Sequence, residues 1–159
     1  MEIVTNKHFL YPSGLYASKK PTLVTTILGS CVAVCLYDSL NKFGGINHYM
    51  LSYWDGTGMP TPKWGDHAIR KLLENMLGMG AEKKYMQAKI FGGSCRRGSS
   101  DVFNIGSNNI LVAETCLAKL QIPIVARHTG GSIPRKLIYH TNTGSVDVYN
   151  LLSTTTDPE

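Results

Sequence analysis

The fold is decided by residues 22–37, which read TLVTTILGSCVAVCLY. β-branched and small apolar residues dominate this stretch, and only Gly29-Ser30 interrupts it, so we predict two extended segments joined at a tight bend. After the bend, successive side chains point to opposite faces, and both faces are apolar. That pattern is typical of a strand buried on both sides. One face carries Cys31, Ala33, Cys35 and Tyr37, and the other carries Val32, Val34 and Leu36.

Cys31 directly follows Gly29 and Ser30 at the predicted bend. A sharp bend of this kind projects one side chain and nearby backbone N–H groups toward a common point. Acyl chemistry needs that arrangement, because a nucleophile attacks while neighbouring amides receive the oxyanion. The alternative is that Cys31 is a small core residue, since free cysteine is often buried. Cys35, in the middle of the strand, is expected to belong to the core.

His48 is the candidate partner of this thiol. A polar turn precedes a second predicted strand, residues 43–51, and an antiparallel return would bring the His48 imidazole beside Cys31. A neighbouring imidazole favours the thiolate over the thiol. The alternative is a hydrogen-bonded interior histidine. Thr25 and Thr26 lie just upstream, where a hydroxyl would orient the ring, although threonine is also a good strand former.

The remainder of the chain mixes helices and strands. Residues 52–63 are rich in glycine and proline and are predicted to form a loop, a candidate substrate-facing flap. Apolar spacing predicts one helix from Asp66 and a second helix capped by Ser107. Further strands are predicted over residues 86–91, 122–126, 136–140 and 145–151, the last two as a hairpin. This order of elements favours an α+β layered sandwich over a doubly wound sheet.

Length and composition limit the class of protein. The chain has 159 residues, and we assign residues 1–152 to one domain and residues 153–159 to a flexible tail. The longest apolar run, residues 31–37, is far shorter than the ~20 residues that cross a bilayer, and no signal peptide is recognisable. Four cysteines without a secretory signal indicate reduced thiols. We therefore expect a cytoplasmic protein without membrane insertion.

The net charge of +5 favours acidic partners. Basic residues cluster only in pairs, without the longer basic runs and interleaved aromatic residues of nucleic-acid surfaces, so we expect no nucleic-acid partner. Cysteines and histidines show neither C-x-x-C nor H-x-x-x-H spacing, so we expect no metal. Two loops that combine glycine with basic residues, 91–98 and 129–136, match no phosphate-binding motif and are interpreted as tight turns.

Several ordered motifs extend over residues 22–149. The longest are TTILGSCVAVCLYD at 25–38 and GGINHYML at 44–51. Shorter ones follow: KIFGG at 89–93, IGSNN at 105–109, IPI at 122–124, TGG at 129–131, RK at 135–136 and TG at 143–144. Together they resemble the chemoreceptor glutamine deamidase family, CheD. Several motifs in one order at compatible spacing are far more specific than any one alone.

The resemblance implies a layered α/β/β fold with a mixed sheet, similar to the catalytic domain of the cytotoxic necrotizing factor toxins. It also implies cysteine-dependent hydrolysis, without a cofactor, of selected glutamines on methyl-accepting chemotaxis receptors. The products are glutamate and ammonia, formed through a thioester. By position, the family's catalytic trio maps onto Cys31, His48 and Thr25, with Thr26 a mere neighbour. Gly29 and Ser30 form the bend that holds the oxyanion.

The same resemblance implies a second role, because some CheD proteins bind a CheC-type phosphatase. The alternative to an enzyme is therefore a non-catalytic docking module for such a phosphatase or for a receptor. Two positions depart from the family pattern: Pro134 stands where a loop motif has glycine, and His128 stands where an acidic residue is common. We expect substrate or partner contacts to differ there, while the catalytic trio is unaffected.

Overall fold

A computed structural model describes residues 6–95 and 104–151, and within these ranges the predicted strands and helices can be compared with the structure. The strands are β1 (Asn6–Phe9), β2 (Leu15–Ser18), β3 (Thr22–Leu28), β4 (Val32–Asp38), β5 (Phe43–Asn47), β6 (Met86–Gly92), β7 (Ile124–Thr129), β8 (Arg135–His140) and β9 (Val146–Asn150). The helices are α1 (Gly65–Gly78) and α2 (Ile105–Leu120), and a short 3-10 turn spans Lys83–Tyr85. The predicted tail at 153–159 lies outside the described residues.

The bend at Gly29 and Ser30 carries the chain from one sheet to another. The first sheet has the order β1-β3-β8-β9, and the second has the order β2-β5-β4-β6-β7. In the first sheet, β1 runs parallel to β3 and the other pairs are antiparallel. In the second sheet, β7 runs parallel to β6 and the other pairs are antiparallel. Both sheets are therefore mixed, and the predicted α+β class is confirmed.

The side chains of strand β4 point alternately to two buried clusters, which separate three layers of the fold. Its residues Val32, Val34 and Leu36 lie in one buried cluster with the apolar faces of α1 and α2. Ala33 and Cys35 lie in a second cluster, which fills the space between the two sheets. Both clusters consist of fully or nearly fully buried side chains. Strand β4 is therefore apolar on both faces because each face packs against a buried cluster. The helices cover one face of the second sheet, and the first sheet covers the other.

Two predicted strands have other bounds in the structure, since β5 ends at Asn47 rather than at residue 51 and β7 spans Ile124–Thr129 rather than 122–126. Two further features differ from the sequence-based expectation. Helix α2 begins after Asn104 rather than at Ser107, because the Asn104 side chain accepts a hydrogen bond from the Ser107 N–H and so caps the first turn. Strands β1 and β2 were not predicted, because each has only four residues and neither has a buried face. Among the described residues, no helix is long and apolar enough to cross a membrane.

Gly44 lies at a close contact between the two sheets. The Tyr139 hydroxyl, from β8 in the first sheet, donates a 3.0 Å hydrogen bond to the Leu36 carbonyl in the second sheet. A Cβ atom at Gly44 would overlap that hydroxyl and would lie 2.7 Å from the Leu36 carbonyl oxygen. Tyr139 is fully buried, so it has no free space into which it can move. The absence of a side chain at Gly44 therefore permits this contact between the sheets.

Gly44→Ala is expected to lower the free energy of unfolding by about 1–3 kcal/mol, because the added methyl group overpacks a closed interior. Urea denaturation followed by circular dichroism measures this change. Gly78→Ala is the control, since a Cβ at the end of α1 contacts nothing within 4 Å. The control should be neutral or stabilising by up to about 1 kcal/mol. Equal stability of the two variants would contradict this account of the sheet contact.

Candidate active site

The pairing of residues 32 and 49 places Cys31 and His48 on one face of the second sheet. Val32 and Tyr49 exchange two backbone hydrogen bonds, of 3.1 and 2.9 Å, in the same register that pairs β4 with β5. In this register Cys31 and His48 are diagonal neighbours, whose Cβ atoms lie less than about 8 Å apart. Both side chains face the first sheet, as do Ala33 and Cys35 on the same side of β4.

Cys31 and His48 differ in their access to solvent. Cys31 is half-buried against the cluster between the sheets. His48 is only 2% exposed. Its Nε2 atom is buried and has no hydrogen-bond partner among the described residues, so the imidazole and the thiol are not hydrogen-bonded to each other. Catalytic hydrogen bonds are often long before substrate binds, so the absence of this bond does not exclude the pair.

His48 lies where the regular β4–β5 pairing is interrupted. The Val34 N–H donates to the Asn47 side-chain oxygen at 2.8 Å instead of to a strand carbonyl. The backbone of His48 pairs on its other side, where the Ser13 N–H donates to the His48 carbonyl at 2.7 Å and the His48 N–H donates to the Gly14 carbonyl at 3.2 Å. The imidazole is therefore held by a backbone that is anchored from outside the β4–β5 pair.

A threonine from the first sheet fixes the protonation of this ring. Thr26 Oγ1 lies 2.7 Å from His48 Nδ1 and also donates a 2.8 Å hydrogen bond to the Leu10 carbonyl. A hydroxyl has one proton, and the carbonyl accepts it, so the ring must donate its Nδ1–H to Thr26. A neutral imidazole with a proton on Nδ1 has its lone pair on Nε2. The histidine is thus arranged as a proton acceptor.

The expectation that Thr25 orients the ring is corrected by this geometry. Successive residues of β3 face opposite sides, and Thr26 is fully buried between the sheets whereas Thr25 is only half-buried. The hydroxyl in contact with His48 belongs to Thr26. The position six residues before Cys31, taken over from the family pattern, therefore lies on the wrong face of the strand for this contact.

Burial opposes charge on both members of the pair. Burial lowers the pKa of His48 to about 4. Burial also raises the pKa of the Cys31 thiol, and the nearby backbone N–H of Cys31 partly offsets this rise. At neutral pH the resting pair is a thiol beside a neutral imidazole, in place of the expected thiolate. The sulfur has to lose its proton during the reaction.

Hydrogen bonds hold all three carbonyl groups of the bend. The Ser94 N–H donates to the Gly29 carbonyl and the Gly93 N–H donates to the Cys31 carbonyl, both at 2.9 Å. The Ser30 carbonyl accepts from the side chain of Asn109 at 3.0 Å. Asn109 belongs to the IGSNN motif at 105–109, and no local pattern indicates this contact. The bend is therefore a rigid support for Cys31, the predicted nucleophile.

The loop at residues 52–63 leaves the sheet next to this site. It begins two residues after Met50, which lies opposite Cys31 in the strand register. Its first part is tied to helix α1, because the Asp66 carboxylate accepts from the Trp54 N–H at 3.1 Å. Tyr53 and Met59 on this loop are exposed. An open pocket of about 440 Å³ lies beside the start of the loop, lined by Leu51, Ser52, Trp64, Ile105, Asn108 and Asn109. Its role as a flap stays a prediction.

The turn that departs from the family pattern adjoins the bend. Arg135 donates to the ring Nδ1 and the carbonyl of His128 and to the Gly130 carbonyl. The turn then contacts the strand next to the site, because the Gly130 N–H donates to the Gly92 carbonyl at 2.9 Å. Pro134 and His128 therefore lie in a turn that contacts the strand beside Cys31, and not next to Cys31 itself. Within residues 6–95 and 104–151, no group of three or more potential metal ligands occurs.

Comparison with known proteins identifies the family. The family model described as CheD chemotactic sensory transduction matches residues 50–150. A probable chemoreceptor glutamine deamidase CheD of Trichlorobacter lovleyi is 45% identical over 141 residues, which is 88% of this chain and 88% of the relative. The proteins of the same name from Sulfurimonas denitrificans and Rhodospirillum rubrum are 40% and 37% identical, covering 88% and 94% of this chain and 91% and 85% of their own lengths. The chain belongs to the CheD family.

Proposed function

We propose that this protein is a protein-glutamine deamidase that converts selected glutamines of methyl-accepting chemotaxis receptors to glutamate. The observation that carries the proposal is the state of His48: Thr26 holds the ring with Nε2 unprotonated, on the same sheet face as the half-buried Cys31. The relatives are named as probable chemoreceptor glutamine deamidases. A thiol and an unprotonated imidazole nitrogen are the two groups that such an amidohydrolase needs.

In the first half of the reaction, Sγ of Cys31 attacks the carboxamide carbon while its proton passes to Nε2 of His48. The negative charge moves to the amide oxygen, and the N–H of Cys31, which lies beside its own sulfur, donates to it. The imidazolium then gives its Nε2 proton to the amine. The C–N bond breaks, ammonia leaves, and a thioester remains on Cys31.

In the second half, water replaces ammonia. His48 Nε2 accepts a proton from the water as its oxygen attacks the thioester carbon, and the oxyanion forms again beside the Cys31 N–H. When the C–S bond breaks, the sulfur takes the proton back from His48. The product is a glutamate side chain, and the enzyme returns to its neutral resting pair. All proton transfers use one ring nitrogen, while Thr26 keeps the other occupied.

The substrate and its compartment follow from the same proposal. Receptor methylation segments are helices rich in glutamate and glutamine, so the net charge of +5 favours their encounter with the enzyme. A cytoplasmic location agrees with four cysteines that form no disulfide with one another. We also propose that the 52–63 loop faces the substrate and that a CheC-type phosphatase binds this chain. The likeness of the fold to the cytotoxic necrotizing factor domain stays a prediction.

Cys31→Ala is expected to abolish conversion, lowering the rate by at least about 10³-fold, because it removes the nucleophile. Mass spectrometry of a receptor cytoplasmic fragment measures the gain of about 1 Da for each glutamine that becomes glutamate. Cys116→Ala is the control, since this half-buried thiol lies on α2 against the core under the helices. Conversion that survives in Cys31→Ala refutes the thiol mechanism. A wild-type protein that converts no glutamine favours the docking-module alternative.

Thr26→Val and Thr25→Val separate the two candidate orienting residues. Thr26→Val keeps the side-chain shape but leaves His48 Nδ1 without its acceptor, so the rate should fall on the order of 10²-fold, as for a misplaced catalytic group. Thr26→Ser should restore most of the activity. Thr25→Val should be close to wild type, since valine is an equally good strand former. Steady-state deamidation of a receptor peptide measures all three, and a larger loss in Thr25→Val would favour the family-derived assignment.

The low pKa of His48 predicts activity that extends to acidic pH. Only the neutral ring accepts the thiol proton, and the pKa is lowered from 6.5 to about 4. The value of kcat/KM should therefore stay level as pH falls below neutral and decline with a midpoint near 4. A midpoint near 6.5 would contradict the buried neutral ring. Initial rates measured across this range test the prediction.

The same measurements need a folding control. His48 in the unfolded chain titrates near 6.5, while in the folded protein it stays neutral down to about 4. The unfolded state therefore binds more protons in this window, and stability falls as pH decreases from 6.5 toward 4. Circular dichroism at each pH identifies the conditions in which the enzyme is still folded, and only those rates enter the comparison.

A further inference from the structure

The side chain of Asn109 joins the two backbone segments that meet at the nucleophile. Its Nδ2 group donates one hydrogen bond to the Ser30 carbonyl and one to the Met50 carbonyl, both at 3.0 Å. Ser30 precedes Cys31, and Met50 lies opposite Cys31 in the strand register. Both partners are acceptors, so the amide nitrogen must face them and the orientation of the side chain is unambiguous.

The hydrogen bond from Asn109 to the Ser30 carbonyl also fixes the direction of the Cys31 N–H. The Ser30 carbonyl and the Cys31 N–H belong to one peptide unit, and this unit is trans. In a trans peptide the C=O and the N–H point in opposite directions, so fixing the carbonyl also fixes the N–H. In the proposed mechanism, this N–H is the donor to the developing oxyanion. Donation to the carbonyl also polarises the peptide and strengthens its N–H as a donor.

Asn109 occupies a position that packing alone would fill with an apolar residue. It is fully buried, on the side of helix α2 that faces the core, and its Oδ1 atom has no hydrogen-bond partner among the described residues. An unpartnered buried oxygen is destabilising. The Tyr49 hydroxyl donates to the Asn109 backbone carbonyl at 2.6 Å, which anchors the residue from the strand side. The amide is therefore kept here for its two donated hydrogen bonds.

We propose that Asn109 is a positioning residue for the oxyanion-binding N–H of Cys31. It acts through the Ser30–Cys31 peptide and does not itself touch the substrate. The Met50 bond holds the opposite strand at a fixed distance, so the peptide cannot rotate when charge develops on the substrate oxygen. This proposal rests on the deamidase mechanism, in which that N–H receives the charge.

Two rates measured on the same protein separate oxyanion positioning from thiol placement. Deamidation of a receptor peptide forms an oxyanion, whereas alkylation of Cys31 by iodoacetamide displaces iodide and forms none. Asn109→Ala should lower kcat on the order of 10²-fold, comparable to the loss of one oxyanion donor, with little change in KM. Its alkylation rate, measured by mass spectrometry of the peptide that contains Cys31, should stay close to the wild-type rate.

Asn109→Asp is the second variant, because it keeps the size of the side chain and leaves no cavity. It replaces the doubly donating nitrogen with an oxygen, so at most one of the two carbonyls retains a donor. We expect the same separation of kcat from alkylation. Asn75→Ala and Asn75→Asp are the matched controls, since Asn75 is exposed on the other helix and both changes should leave the two rates unaltered.

Several outcomes overturn the proposal. Equal losses in deamidation and alkylation would mean that Asn109 merely supports the fold around Cys31, and so would failure of both Asn109 variants to fold. Unchanged kcat in a folded Asn109 variant would mean that the peptide needs no support. A failure of the deamidase proposal itself is recognised separately, because the wild-type protein would then convert no glutamine while its Cys31 alkylation remained measurable.

Discussion

The hydrogen bond between Thr26 and His48 is the contact on which the chemistry of the site depends. It joins the first sheet to the second at a buried point, and its direction is set by a third group, the Leu10 carbonyl, which takes the hydroxyl proton. The ring is then obliged to donate from Nδ1 and to keep Nε2 as an acceptor. A backbone carbonyl at residue 10 thus decides the protonation of a histidine at residue 48. Register, layer spacing and the bend at Gly29 all have to be correct for this contact to form.

Burial makes the pair unreactive until a substrate arrives. It disfavours the imidazolium of His48 and the thiolate of Cys31 alike, so the ion pair is not the resting state. In the proposed mechanism, transfer of the thiol proton becomes favourable only when the negative charge can move to the substrate oxygen beside the Cys31 N–H. That mechanism requires two parts of the structure to act together: the Thr26 contact, which prepares the proton acceptor, and the Asn109 amide, which supports the donor to the oxyanion.

The sequence predicted those features that are encoded locally. Alternation and β-branched residues were enough for β3, β4 and the bend, and helical spacing was enough for α1, whereas β1 and β2 are too short and too exposed to produce a pattern. The sequence contained enough information to choose Thr26 over Thr25, because Thr26 shares its strand face with Val24 and Leu28, which are buried. The prediction followed the spacing of the family motif instead of this alternation. The role of Asn109 could not be predicted from the sequence, since its partners are backbone carbonyls that only tertiary packing brings together.

Arg135 holds the turn that contains His128. It is 3% exposed, and within the described residues its guanidinium donates to backbone carbonyls and to the His128 ring rather than to a carboxylate. Those bonds hold the turn against Gly92, so the segments around the bend keep their arrangement. A carboxylate at position 128 would give Arg135 an ion-pair partner, whereas the imidazole offers it a ring nitrogen. Among the described residues, hydrogen bonds rather than an ion pair therefore hold this turn.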